Sequence, residues 1–388
     1  MQVKAKRLSS ISSAVFFELT QLKTELRKRD VQVIDLGIGS PDTPPASHVQ
    51  EAFLEALRDP RVYGYATTEG TDEFRHAAAS FLYQRYNVVV DPHTELLSVI
   101  GAQDALTHIS LAVVDPGDVI LIPDPCYPIY EVTALLVGAT PYRMPLREEN
   151  NYLPDLSAIP HDILRRAKLM ILNYPSNPVT AVAPPSFFAD VVEFAHQHHI
   201  LVLHDAAYIE LTFDGRTSPS FLATPGAKDV GIELHSFSKT FNFAGPRLAF
   251  AAGNCEILEA LHIVKSNIDY GVFLATQRAG TITLQDHPDI HIAHVRELYQ
   301  KRRDAFLNPL YHAGWDISPS QATMFVWLKT PHHMDSRVFA KHLLEKTGVA
   351  CVPGVGFGPE GEYYVRFALV QPEDVLTNAA NRVAHTFQ

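Results

Sequence analysis

A chain of 388 residues, 46% apolar and 19% charged, can bury a large core, and its length suits two or three domain-sized units. A formal charge of −11 argues against nucleic acid or an anionic membrane as the main partner. No apolar run approaches the roughly 18–20 residues of a membrane span, and Cys126, Cys255 and Cys351 lie far apart with no C-x-x-C, which indicates neither a disulfide framework nor a thiolate zinc site.

The basic start, M-Q-V-K-A-K-R, is not followed by an apolar h-region, so no signal peptide is expected and the chain reads as reduced and cytoplasmic. Val15, Phe16, Leu19, Leu22 and Leu26 fall at helical spacing and predict a helix over 13–29 with a basic C-terminal end. A short strand over 33–38 runs into G-S-P-D at Gly39, which by composition is a turn. Tyr65 follows in Y-G-Y-A-T-T-E-G, five residues before Gly70.

From 95 onward the chain takes up a strand–helix rhythm, with strands over 95–100, 119–123, 141–144, 168–172 and 200–203. Helices are predicted over 102–114, 129–136 and 187–198. Open α/β sheets bind ligands at the carboxyl ends of their strands. Ala102 and Gln103 open a helix whose unpaired N–H groups and dipole suit a phosphate. Tyr127 stands just past a strand end in D-P-C-Y-P, and two prolines stiffen the N-Y-P-S-N-P loop that aims Asn177. Asp205 follows an apolar strand, where an unpaired carboxylate is costly, and Tyr208 lies three residues on. His196, His198 and His199 read as the capped end of a helix and His204 directly precedes Asp205, so no metal site is assigned.

The stretch 234–250, L-H-S-F-S-K-T-F-N-F-A-G-P-R-L-A-F, carries the most chemistry. Lys239 is held between two apolar runs, a costly place unless the amine is paired, neutral or covalently used. Ser236, Ser238 and Arg247 make a small dianion site beside it. A lysine next to a phosphate socket suggests an aldehyde cofactor with its own phosphate, pyridoxal 5'-phosphate held as a Schiff base. Beyond it come a strand over 248–252, helices over 256–264 and 290–311, a strand over 323–328, a helix over 337–346, strands over 349–352 and 363–369, and a helix over 372–386. Arg366 sits mid-run in Y-Y-V-R-F-A-L, and no carboxylate in the local sequence can pair with it.

Taken together these residues resemble the class I/II, fold-type-I pyridoxal-phosphate aminotransferases. Their pattern S-x-S-K-x-x-x-x-x-G-x-R is met by Ser236, Ser238, Lys239, Gly245 and Arg247, with Asn177, Asp205, Tyr208 and Arg366 in family order. The segments 148–156, 167–175 and 265–273 (K-S-N-I-D-Y-G-V-F) resemble the bacterial LL-diaminopimelate aminotransferase-like subgroup. The resemblance implies an α/β fold: a three-layer αβα large domain with a mainly parallel sheet over 48–285, and a small α/β domain from 1–47 and 286–388 with an N-terminal arm. It implies that Lys239 carries the cofactor and acts as general base, that Asp205 pairs with the pyridine nitrogen, and that Tyr127 stacks on the ring. Asn177 and Tyr208 would donate to the phenolic oxygen, while Ala102, Gln103, Ser236, Ser238 and Arg247 hold the phosphate. Tyr65 would reach across a homodimer to the partner's phosphate, the Gly39 backbone would touch substrate, and Arg366 would clamp its α-carboxylate. Pro246 stands where relatives usually have tryptophan, Thr68 where many have tyrosine, and no second arginine is assignable to a side-chain carboxylate.

The implied activity is ping-pong transfer of an α-amino group between an L-amino acid and a 2-oxo acid, with LL-diaminopimelate and 2-oxoglutarate as one pairing. Alanine, methionine and aromatic amino acids are alternative substrates, and another lyase of the same cofactor or a non-enzymatic cofactor-binding regulator are alternative functions. Ser236 to Lys239 also fits the S-x-x-K of serine acyl-transfer enzymes, but the chain has no S-D-N, and its K-T-G closes a predicted helix with Gly348 as cap.

Overall fold

The computed structural model describes residues 3–9, 11 and 14–386, with residues 14–17 described for the backbone alone. Ser13, where the first predicted helix begins, lies outside the described residues, as do the side chains of Val15 and Phe16; the helix itself spans Ala14–Lys28.

The centre is a seven-stranded sheet in the order Leu96–Val99, Ala249–Gly253, Gly231–Ser236, Leu201–Asp205, Ala167–Asn173, Val119–Asp124, Thr140–Pro145. Only Ala249–Gly253 runs antiparallel to its neighbours. Helices cover both faces, which is why Val119–Asp124 and Gly231–Ser236 are buried along their whole length. Alternate residues serve the two faces. Ile120, Ile171, Leu203 and Ile232 pack with Leu106 and Ile109 of Ala102–Val113 and Leu261 of Cys255–Ile268. Leu121, Met170, Val202 and Phe250 pack with Phe74 of Asp72–Tyr86 and Phe188 of Pro185–His198. A second core gathers around the antiparallel strands Phe325–Lys329, Tyr364–Ala368 and Val352–Pro353. The 25-residue helix Pro288–His312 joins the two, with Ile292 in the first core and Val295, Tyr299 and Phe306 in the second. No helix among the described residues is long and apolar enough to cross a membrane.

Three expectations are corrected. The strand predicted over 33–38 is only Ile34–Asp35, because beyond it the carbonyl of Gly37 accepts from Arg366 Nη2 and does not pair in a ladder. The strand predicted over 349–352 is divided at Cys351: Val349–Ala350 pairs with Ile34–Asp35, and Val352–Pro353 pairs with the strand bearing Arg366. The helix predicted over 256–264 runs on to Ile268 and takes K-S-N-I into its last turn. Leu274–Gln285 has no counterpart in the sequence reading, since it is buried on nearly every side and lacks an amphipathic stripe. Helix Ser336–Thr347 does end at Gly348 in the left-handed conformation (φ 72°), as read from K-T-G.

Just past Gly39, Asp42 accepts from both Nη atoms of Arg302 at 2.7 and 2.8 Å and so fastens the segment to the long helix. Burial works against the Asp42 charge, but the Arg302 bonds outweigh it and hold the carboxyl below its usual range. Asp42→Asn is expected to lower stability by about 2 kcal/mol in a denaturant titration, less than the loss from a fully buried pair because Asp42 keeps some solvent contact. A depressed folded-state pKa stabilises fully above the unfolded value, so the gap between wild type and variant should close as pH falls below about 4.

Candidate active site

Two rows of the sheet build the site. In one, Val99 pairs with Ala249 and Ala249 with Ser236. The reversed middle strand thus begins where its two neighbours end, which sets Arg247 between the Gly101 turn and the Ser236–Lys239 turn. In the other, Asp205 pairs with Leu234 and Asn173 with Asp205, so both end facing the same space. That space is a cavity of about 450 Å³. It is lined by every sequence-predicted site residue except one: Gly39, Ala102, Gln103, Tyr127, Asn177, Asp205, Tyr208, Ser236, Ser238, Lys239, Arg247 and Arg366. The exception, Tyr65, is 93% exposed and rests its ring 5.5 Å from that of Tyr270.

Ser236 caps the short helix Phe237–Thr240 by accepting from Ser238 N, and the helix carries Lys239 into the cavity. Lys239 Nζ donates to the Gly39 carbonyl at 2.5 Å and has no carboxylate partner among the described residues. Burial, then the nearby Arg366 and Arg247, push its amine down to about 8, a value at which about a tenth of it is neutral at pH 7. Gly39 lies flat on Phe325, so a Cβ there would meet the Phe325 ring at 2.5 Å. The same ring packs against Tyr208 and lies 4.1 Å under the Arg366 guanidinium.

Arg247 Nη1 donates to the Ala244 carbonyl at 2.9 Å and lies 3.5 Å from Ser238 Oγ. Gly101, with φ 77°, lets the chain approach so closely that a Cβ would collide with Arg247 Nη2. The next residues, Ala102 and Gln103, open a helix whose first N–H groups have no intrahelical partner. Backbone donors, two serine hydroxyls and a guanidinium fork thus converge, the donor set a phosphate dianion needs.

Asp205 is 5% exposed and accepts from Tyr130 Oη at 2.7 Å and Ala207 N at 3.1 Å. Burial raises its pKa, partly opposed by those two donors, and no lysine or arginine pairs with it among the described residues. A carboxylate facing a cavity with donors but no cation fits a protonated ring nitrogen. Arg366 is the converse case. It is 6% exposed, its Nη1 donates to Asn177 Oδ1 and its Nη2 to the Gly37 carbonyl, both at 2.8 Å, while its Nε has no partner. Burial lowers it to about 10. A guanidinium given only neutral acceptors fits an incoming carboxylate. The donor set therefore suits pyridoxal 5'-phosphate together with an α-amino acid.

Some supporting residues escape the sequence reading. Tyr130 braces Asp205 but reads as one more apolar helical position; its only signal is the i,i+3 spacing from Tyr127. Asn173 donates to the Asp205 carbonyl and accepts from Asn177 N, each at 2.8 Å, and so joins the two strand ends. Lys23, on the first helix, also lines the cavity and is paired with Asp35 at 2.7 Å. His204 lies apart from this chemistry: Glu233 is 2.9 Å from its Nδ1, and the Tyr174 carbonyl is 3.0 Å from its Nε2.

Comparison with known proteins agrees with this geometry. Residues 31–383 match the family model described as aminotransferase class I and II. The LL-diaminopimelate aminotransferase of Moorella thermoacetica is 44% identical over 380 residues, covering 98% of this chain and 97% of its own. That of Halothermothrix orenii is 40% identical, covering 98% of each. Among solved structures, substrate-bound BacF from Bacillus subtilis superposes with a TM-score of 0.94 at 35% identity, covering 99% of this chain and 98% of its own. A probable N-succinyldiaminopimelate aminotransferase from Thermus thermophilus gives 0.91 at 38% identity, covering 96% and 100%.

Gly101→Ala should push the Arg247 guanidinium aside and weaken binding of a phosphate-bearing ligand by at least about tenfold. Titration of the cofactor-free variant with pyridoxal phosphate measures this; unchanged affinity would contradict the close approach.

Proposed function

The chain belongs to the class I and II aminotransferases, which depend on pyridoxal 5'-phosphate, and on that premise we propose how this cavity moves an amino group and for which substrate. The observation that carries the reading is Lys239: an amine without a carboxylate partner, lowered to about 8, in one cavity with an anion corner and a buried arginine.

When bound, pyridoxal phosphate supplies the carbonyl that takes the amino group and the ring that accepts the electron pair released at Cα. Lys239 anchors it, and Ser236, Ser238, Arg247 and the N–H groups at Ala102 and Gln103 hold its phosphate. Asp205, braced by Tyr130, would keep the ring nitrogen protonated, and Asn177 and Tyr208 would serve the phenolic oxygen. Tyr127 covers the ring. Arg366 exchanges its neutral acceptors for the substrate α-carboxylate, and the Gly39 backbone lies against the substrate. With Cα so placed, the neutral Lys239 amine would take its proton onto Nζ and hold it for return during the exchange of the amino group. Water would then supply the carbonyl oxygen that frees the 2-oxo acid, with the amino group left behind for a second 2-oxo acid to collect by the reverse steps, which return the water.

LL-diaminopimelate as donor and 2-oxoglutarate as acceptor are the substrates we favour, on the strength of relatives of that name at 40–44% identity along nearly the whole chain. The working protein is a cytoplasmic homodimer. Tyr63, Tyr65, Tyr270 and Phe273 form an exposed aromatic patch, and Tyr65 from this patch serves the phosphate corner of the second copy.

The first test is colour. Protein loaded with pyridoxal phosphate should absorb in the visible, bleach with LL-diaminopimelate and recover with 2-oxoglutarate; colour unmoved by any amino acid would remove the aminotransferase reading. Lys239→Ala should abolish turnover, and Asp205→Ala should lower the rate by several powers of ten. Because lysine attacks only when neutral, capture of pyridoxal phosphate by the cofactor-free protein should speed up as pH rises through about 8 and then level off. Arg366→Leu removes a neighbouring positive charge and should shift that midpoint upward; a flat profile would show that Lys239 is not the titrating amine.

A further inference from the structure

The segment K-S-N-I-D-Y-G-V-F, residues 265–273, lies outside the cavity lining, yet it carries a fully buried lysine. Lys265 Nζ lies 2.5 Å from Asp104 Oδ2 and 2.9 Å from Asp269 Oδ1. His108, one turn after Asp104 on the same helix, places Nδ1 2.6 Å from Asp104 Oδ1 and 3.2 Å from Asp269 Oδ2. The two aspartates and the histidine could frame a metal ion, but the Lys265 ammonium already touches both carboxylates from within the group. The cation is built in.

Asp104 belongs to the first turn of Ala102–Val113, the helix whose N-terminus forms one wall of the anion corner. Its Oδ2 also accepts from Ile100 N at 2.8 Å, which fixes the strand-to-helix turn through Gly101. This shaping has an electrostatic drawback, because a carboxylate in that turn repels any dianion seated at the helix end. Burial opposes the charge on Asp104, but His108 and Lys265 outweigh it and keep the carboxyl ionised. Lys265 touches Asp104 from outside the cavity lining and also pairs with Asp269.

We propose that Lys265, held in place by Asp269, is a positioning residue for the cofactor phosphate: its ammonium lies against the Asp104 carboxylate and offsets its charge, so that Asp104 can shape the turn with less repulsion of the dianion. The inference rests on the reading of this corner as the phosphate site. It separates two jobs within one turn, shape from Asp104 and charge balance from Lys265.

Pyridoxal, the same aldehyde without its phosphate, discriminates. Cofactor-free wild type, Lys265→Met and Asp104→Asn are each titrated with pyridoxal phosphate and with pyridoxal, and the visible absorbance is followed. Lys265→Met should bind pyridoxal phosphate at least about tenfold more weakly and pyridoxal within about twofold of wild type. Equal loss for both aldehydes, or loss for neither, overturns the proposal. Asp104→Asn keeps an acceptor for Ile100 N but removes the charge, and should bind pyridoxal phosphate about threefold more tightly with pyridoxal unchanged. Should Lys265→Met fail to fold, this variant decides alone, and equal or weaker phosphate-selective binding overturns the idea. No colour in wild type with either aldehyde would bring down the cofactor reading and this inference together; colour in wild type without these selective shifts defeats this inference only.

Discussion

Cations held without counter-charge are the constraint on which the rest of this structure turns. Lys239, Arg247 and Arg366 all face one cavity, and none has a carboxylate partner among the described residues. Asp205 is the acidic residue of the lining, and among the described residues no lysine or arginine pairs with it. Such groups are expensive to bury. The protein tolerates them with neutral substitutes, the Gly39 and Gly37 carbonyls, the Asn177 amide and the Tyr130 hydroxyl, each weaker than the ionic partner a ligand brings. The cavity is thus destabilised in a directed way. A molecule carrying a phosphate, a ring cation and a carboxylate relieves all of it at once.

One reversal in the sheet makes this possible. Were Ala249–Gly253 parallel to its neighbours, Arg247 would emerge at the far edge of the sheet from Ser236 and Gly101. Running backwards, the strand returns the guanidinium to the end where the parallel strands finish, so residues nearly 150 positions apart in the chain share one corner. The fold then needs little further invention, since strand ends already collect loops and helix N-termini.

How much of this is legible in sequence depends on whether a residue breaks its local pattern. Lys239, Asp205 and Arg366 interrupt apolar runs, and that misfit marks them before any coordinates exist. Their supports conform to pattern and stay hidden: Tyr130 passes for core, and Asn173 for the end of a strand. Lys265 is hidden differently, because a lysine near the end of a helix is ordinary, and its burial against Asp104 depends on a contact 161 residues away. The βα rhythm announces the parallel strands, but nothing local announces a helix such as Leu274–Gln285, which is buried on all but one narrow edge that includes Arg278 and Ile282. Strand lengths failed where tertiary needs took precedence, as at Gly37, whose carbonyl serves Arg366.

Gly39 and Phe325 illustrate what such packing means over evolutionary time. The ring leaves no room for a side chain at 39, while Tyr208 and the Arg366 guanidinium rest on the same ring. Position 39 can therefore accept a larger residue only after position 325 has shrunk, and shrinking 325 first unseats both neighbours. The order of change at the two positions is thus constrained by one ring, which serves as a spacer for the backbone at 39 and as a floor for the side chains of Tyr208 and Arg366.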